Sequence, residues 1–314
     1  MRMAMLERLL AEDDPLLPLV KELRAIWSAE GFREYAEAGN LQQYLTDNEH
    51  RASDFERELW DTYRDVYGLL EGEHPRKQFV DEVLAQDEFT LVIFDGLSLR
   101  EVPSLLQVFE EHGIEPVVGF ALAPVPTETS VFAQAHFGVS GPSQIASNDR
   151  LAFAHAKQTT WEPTFAQDER RRVIWAPHPD SIFSVNSDTV EYAEHIVKPV
   201  QAILATILDG DPALPLCVTS DHGYLWQGGA CAWPLPDDEE TLFAKEFKAG
   251  RCTDHPDATL VSSEKVWSDA EGDIAAARGR FAWGGKVKGP PRNFKHGGVS
   301  LMEGTVPWAC HGME

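Results

Sequence analysis

The sequence predicts an α/β protein, a mainly parallel sheet flanked by helices, with a helical segment ahead of it. Three observations predict this. Continuous apolar runs at Phe89–Phe94, Ile114–Leu122, Arg172–Ala176 and Leu216–Thr219 read as strands buried on both faces. Amphipathic stretches, Val102–Glu111 and Tyr192–Leu208, lie between runs, and strand–helix alternation argues for parallel pairing. Residues 1–86 lack such runs and space their apolar residues three and four apart instead.

In chain order, Leu16, Leu17, Val20, Leu23, Ile26 and Trp27 continue a periodicity begun at Leu6, Leu9 and Leu10 and predict a first helix. A second is expected over Phe32–Leu45 and a third over Asp54–Leu70. We read residues 1–86 as a helical subdomain packed on a catalytic domain of residues 87–314; a docking module is the alternative. Residues 225–290 are rich in Gly, Pro and Trp and read as a loop-rich cap insertion.

The 314 residues can bury a sizeable core. A net charge of -24 opposes loose binding of nucleic acid over a broad face, though not a local basic cleft. No apolar run approaches the ~20 residues of a membrane span. Met1–Leu10 carries Arg2, Glu7 and Arg8 and lacks the apolar core of a signal peptide. We therefore expect a cytoplasmic protein without a membrane partner. The four cysteines are too few to staple this chain. Cys217, in an apolar run, reads as a buried thiol. Cys231, Cys252 and His255 are at most a candidate zinc set, set against scattered thiols.

Chemistry-bearing residues follow the apolar runs. Asp95-Gly96 ends the first; Asp-Gly is most often a turn, but here it offers a hard oxygen ligand beside a pliant backbone. Pro124-Val-Pro-Thr-Glu-Thr-Ser130 precedes a helix start. Its hydroxyls are caps in the simplest reading, and otherwise nucleophiles beside free amides that suit a phosphate. Asp221-His222-Gly223 ends the fourth run, and His296-Gly297-Gly298 lies near the end of the sequence. Singly, each is a turn or a structural histidine. Jointly, two aspartates, two histidines and a hydroxyl cluster at strand ends suit divalent ions held by oxygen and nitrogen.

With these motifs the sequence resembles the PglZ domain, a branch of the alkaline phosphatase superfamily, over residues 88–310. The resemblance rests on Val-Ile-Phe-Asp95-Gly, Pro126-Thr-Glu-Thr129, Thr-Ser-Asp221-His222-Gly, and His296-Gly-Gly-Val-Ser-Leu-Met-Glu303 leading to Val306-Pro307. It implies an alkaline-phosphatase-like core and a centre of two ions, Zn²⁺ or Mn²⁺. Asp95, Asp221 and His222 would hold one ion, with Thr129 as nucleophile bridging the pair; Thr127 and Ser130 are rival hydroxyls. Asp180 and His296 would hold the other. Relatives place a further ligand four residues beyond the aspartate, where this chain has Ser184; His178, Asp188 and His195 are the candidates to replace it.

Lys286, Lys288, Arg292 and Lys295 form a basic cluster in an acidic chain, read as binding substrate phosphate or a nucleic-acid backbone, or as a solvated loop. Glu303 reads as structural. The resemblance implies a metal-dependent phosphoesterase, in our reading a phosphodiesterase acting on nucleotide or nucleic-acid-like substrates. It also associates the chain with anti-phage defence and a multiprotein complex. The rival reading is a degenerate domain serving as a scaffold or binding subunit.

Overall fold

The computed structural model describes residues 14–147, 151–156, 169–183, 190–210, 215–228, 231–283 and 294–313. Among the described residues five α-helices come first: α1 (Leu16–Ile26), α2 (Ala29–Glu37), α3 (Leu41–Thr62), α4 (Val66–Glu71) and α5 (Phe79–Leu84). The Ser28 side chain caps α2 by accepting from the Gly31 amide. The helix expected over residues 32–45 is split, because Gly39 takes a left-handed φ of 67° and α3 restarts at Leu41. The helix expected over 54–70 is likewise the end of α3 plus α4, broken around Tyr63.

A six-stranded sheet follows, built from β1 (Phe89–Phe94), β2 (Val117–Leu122), β3 (Ala152–His155), β4 (Arg171–Ala176), β5 (Leu216–Ser220) and β11 (Thr305–His311). The order is β2-β11-β5-β1-β4-β3. β1 pairs in parallel with β4 and β5, β3 pairs in parallel with β4, and β11 runs antiparallel to β5 and β2. The fold is thus α/β with a mainly parallel sheet. The apolar runs read from the sequence are β1, β2, β4 and β5; β3 and β11 were not anticipated.

Alternation along β1 feeds two cores. Val92 and Phe94 pack with helices α6 (Val102–Glu111) and α9 (Lys198–Gly210) through Val108, Phe109, Ile203 and Leu204. Leu91 and Ile93 face the other way, onto Val80, Val83 of α5 and Phe132 of α7 (Thr129–Phe137). Each such side chain contributes about 1.5–3 kcal/mol on full burial, so the sheet is a stiff platform for whatever its strand ends carry.

Pairing also corrects the reading of Cys217 as a buried thiol. Cys217 of β5 sits directly opposite Cys310 of β11 and is joined to it by a disulfide. The two are 93 residues apart in sequence, so nothing local announces the partnership. Cys231 and Cys252 are free. Cys252 contacts Glu128, and exposed His255 pairs with Asp273. Among the described residues the two thiols and His255 form no candidate metal group.

The segment expected to be loop-rich is more ordered than its composition suggests. It carries β6 (Leu225–Trp226), α10 (Asp237–Glu246), α11 (Ala258–Val261) and an antiparallel sheet of β7 (Cys252–Asp254), β9 (Ile274–Ala277) and β8 (Val266–Ser268). It shares a core with the first helices, where Trp60 of α3 packs edge-on against Trp233 and Phe281.

Charge is buried there too. Glu49 of α3 accepts two hydrogen bonds of 2.8 Å from Arg100 and one of 2.5 Å from Arg280. Glu56, two helical turns further on, accepts from Arg280, Tyr67 and the Leu301 amide. All four charged side chains are 0–1% exposed, so each guanidinium depends on its carboxylates. Among the described residues no helix is long and apolar enough to cross a membrane.

Candidate metal centre and active site

The sheet's topology brings the motifs to one edge. β1 and β5 are adjacent and parallel, with Phe94 opposite Ser220. The next residues, Asp95 and Asp221, therefore leave side by side at the carboxyl end of the sheet, where ligands collect in open α/β folds. β2 runs towards the same edge, and the chain beyond it starts α7 at Thr129. β4 leads to Asp180, the first residue of α8 (Asp180–Phe183). His296 arrives differently. It follows β10 (Phe294–Lys295), which pairs antiparallel with β6 so that Lys295 lies opposite Leu225. Because β6 comes just after His222-Gly223, this pairing lays the His296 ring on the His222 ring, 4.3 Å between centroids and 14° from coplanar.

Close backbone approach explains the glycines. A Cβ on Gly223 would stand 2.1 Å from the Met302 carbonyl oxygen, and one on Gly297 would stand 2.3 Å from Glu128 Oε1. Glu303 joins the two turns. Its carbonyl accepts from Gly223 N, and its buried carboxylate accepts from Gly298 N and Arg251 Nε, each at 2.9 Å.

Thr129 Oγ1 lies at the centre of the constellation. It is 2.8 Å from Asp221 Oδ2, 3.2 Å from Asp95 Oδ1 and 3.3 Å from His222 Nε2. Asp221 is fixed by amides of Gly96 and His222, which donate to its other oxygen at 3.0 and 2.8 Å. His222 Nδ1 lies 2.9 Å from the Gly223 carbonyl. A carbonyl only accepts, so Nδ1 bears the proton and Nε2 turns its lone pair towards the carboxylates.

The second group is looser. His296 Nε2 faces Asp180 Oδ1 at 3.3 Å, and its Nδ1 lies 3.3 Å from the Thr127 carbonyl. Thr127 itself donates to the Gly298 carbonyl and accepts from Gly297 N, so it is occupied structurally. Lys295 lines the adjoining cleft with Glu128, Asp180, Phe183 and Phe294, its ammonium donating to the Ala249 carbonyl.

Burial dominates the electrostatics of the site. Burial, followed by the charges of Asp221 and Asp180, lifts Asp95 well above the carboxylate range. Burial lifts Asp221 to about 6, against the hydrogen bonds from Gly96, Thr129 and His222. Burial and the neighbouring His296 push His222 down to about 4. Burial opposes charge on His296 as well, but Glu128 and Asp180 outweigh it and raise that ring. The neutral His222 ring holds its Nε2 3.7 Å from Asp95 Oδ1 and 3.6 Å from Asp221 Oδ2, whereas the raised His296 ring faces Asp180.

Two sets of ligand atoms, each within 4.8 Å of one another, result: Asp95, Asp221 and His222, and Asp180, His222 and His296. Hard oxygens with imidazole nitrogen fit a divalent cation, and Thr129 Oγ1 stands against the first set. His222 Nε2 is common to both. It has one lone pair, so only one ion at a time can take it as a ligand.

Of the other sequence candidates, His178 pairs with Ser181 and His195 with Glu191, outside both sets. Ser184, Asp188, Lys286, Lys288 and Arg292 lie outside the described residues. Glu128 escaped sequence reading, although it stands inside the Thr-Glu-Thr motif, because its partners come from distant segments.

No protein-family model matches the chain, and no curated protein does. Among solved structures, the fold is similar to phosphonoacetate hydrolase from Sinorhizobium meliloti 1021 in complex with phosphonoformate, with 13% identity, 70% of this chain and 89% of that chain covered, and a TM-score of 0.44. It is also similar to an inactive form of murine ectonucleotide pyrophosphatase/phosphodiesterase 5 in complex with AMP, with 12% identity, 71% and 88% covered, and a TM-score of 0.46. At such identities and scores these likenesses assign no activity to this chain.

Proposed function

We propose that this chain is a metal-dependent phosphoester hydrolase, a phosphodiesterase on nucleotide or nucleic-acid-like substrates, with Thr129 as nucleophile. The observation that carries the reading is the Thr129 hydroxyl at a helix start, 2.8 Å from Asp221 and 3.2 Å from Asp95. Asp95, Asp221 and His222 would hold one divalent ion and Asp180 and His296 a second, Zn²⁺ or Mn²⁺. Bound there, such ions supply positive charge that acidifies a hydroxyl and neutralises phosphoryl oxygens.

The chain's own residues account for the rest. Asp221 Oδ2 accepts the Thr129 proton and points Oγ1 into the site. The Thr129 and Ser130 amides precede the first intrahelical bonds of α7, which start at Val131, and would meet an incoming phosphate. Attack of Oγ1 on phosphorus breaks the ester bond, and the alcohol leaves with a proton. Water then cleaves the phosphothreonine and restores the hydroxyl. Lys295, on the cleft beside His296, with Lys288 and Arg292 next to it in sequence, would contact the substrate's phosphate or backbone.

Cytoplasmic placement rests on the composition of Met1–Leu10 and the lack of a long apolar run, and a role in an anti-phage complex rests on sequence resemblance alone. The scaffold reading is favoured by two features, serine at position 184 where a ligand is expected and the helical N-terminal segment. Hydrolysis of bis-p-nitrophenyl phosphate with zinc or manganese separates the two. Turnover that needs the metal and is lost in Thr129→Ala supports the enzyme. Absence of bound metal and of turnover with every divalent ion tried sinks it.

A further inference from the structure

We infer that Glu128 is the positioning residue that sets the His296 ring for metal binding, acting on the ring nitrogen remote from the metal. The inference rests on reading His296 as a metal ligand. Oε1 of Glu128 stands 3.5 Å from Nδ1 of His296, while Nε2 faces Asp180 Oδ1 at 3.3 Å. The Thr127 carbonyl, 3.3 Å from the same Nδ1, can only accept, so Nδ1 bears a proton and the neutral ring that binds a metal has its lone pair on Nε2. A carboxylate beside Nδ1–H makes the ring more basic at Nε2 and fixes its plane, which is how outer carboxylates tune histidine ligands.

Glu128 is itself seated by distant parts of the chain. The Cys252 thiol donates to Oε1 at 3.3 Å. On the other side Gly297 leaves the room, since a Cβ there would come within 2.3 Å of Oε1. Its carbonyl accepts from Val131 and Phe132 N and so starts α7. The nucleophile and the histidine of the second group are thereby tied to one residue, Glu128, which is bonded directly to Thr129.

The test is zinc binding to the full chain, measured against a chromophoric chelator for wild type, Glu128→Gln, Glu128→Ala and His296→Ala. Glu128→Gln is expected to weaken one zinc site about tenfold and Glu128→Ala up to about 100-fold, with the metal-free melting temperature unchanged. If His296→Ala loses that site while both Glu128 variants bind as wild type, the positioning role is overturned and His296 remains a ligand. If His296→Ala binds zinc as wild type does, the ligand reading falls and takes the inference with it. Should the variants not fold, ¹⁵N NMR of the metal-free wild type decides. Titrated upward until the His296 ring is neutral, it is expected to lose the Nε2 proton and keep the one on Nδ1; loss of the Nδ1 proton instead overturns the inference.

Discussion

Asp95 and Asp221 follow two hydrogen-bonded neighbours in the central sheet, whereas Asp180 sits on a four-residue helix and His296 behind a two-residue strand. Exposure follows support. The side chains of Asp221 and His222 are 0% exposed, and those of Asp180 and His296 are 30% and 25% exposed. One half of the site is held by register between long strands. The other half is held by side chains that reach in from elsewhere: Glu303, Arg251 and Glu128. A rigid half suits the reacting hydroxyl, which needs fixed geometry. An open half suits the leaving group, which must enter and depart.

The sharpest way to break this contrast is at the rigid half. Thr129→Ala is expected to lower phosphodiester turnover by more than about 10⁴-fold; residual activity near wild type would move the nucleophile to Ser130. Next is the buried charge of the core shared by the first helices and residues 231–283. Glu49→Ala leaves Arg100 and Arg280 buried beside a missing carboxylate and should cost about 3–5 kcal/mol in urea unfolding. A loss below about 1 kcal/mol would mean that water or Glu56 takes over.

A smaller effect separates the halves by ligand. Asp221→Asn should abolish the tighter of two zinc affinities, and Asp180→Asn only the weaker. Equal losses would show that the shared His222 makes them one site.

The smallest effect is on pH. Burial raises Asp221 to about 6 in the folded chain. An acid whose folded pKa is raised favours folding while protonated and loses that contribution as pH climbs from its ordinary range through about 6. Above that, a bound cation offsets the ionised carboxylate. The rise in melting temperature on adding zinc should therefore be larger at about pH 7.5 than at about pH 5. A shift equal at both would remove Asp221 from the ligand set.

Much of the rigid half was legible, because it is local. An apolar run ending in Asp95, and another ending in Asp221-His222, carry strand and ligand in one short stretch. The open half depends on partners far along the chain. Glu128 meets Cys252 across 124 residues, and Arg251 meets Glu303 across 52. No periodicity records such meetings, and the same is true of the disulfide formed when β11 inserts between β2 and β5. Composition misled over residues 225–290, where Gly and Pro suggested loops but short strands rich in small residues, such as Ile274–Ala277, assemble a sheet.

The buried pairing of Glu49 with Arg280 has a consequence for how the molecule is made. During synthesis Glu49 leaves the ribosome 231 residues ahead of that guanidinium. Arg100 follows Glu49 by 51 residues, but Glu56 meets its guanidinium only when Arg280 is made, so until then α3 must keep that acid in water. Domains that emerge first commonly fold first; here final docking of the leading helices waits on a residue made much later. A product interrupted before residue 280 would keep those helices loose, marking it as unfinished to the cell's proteases.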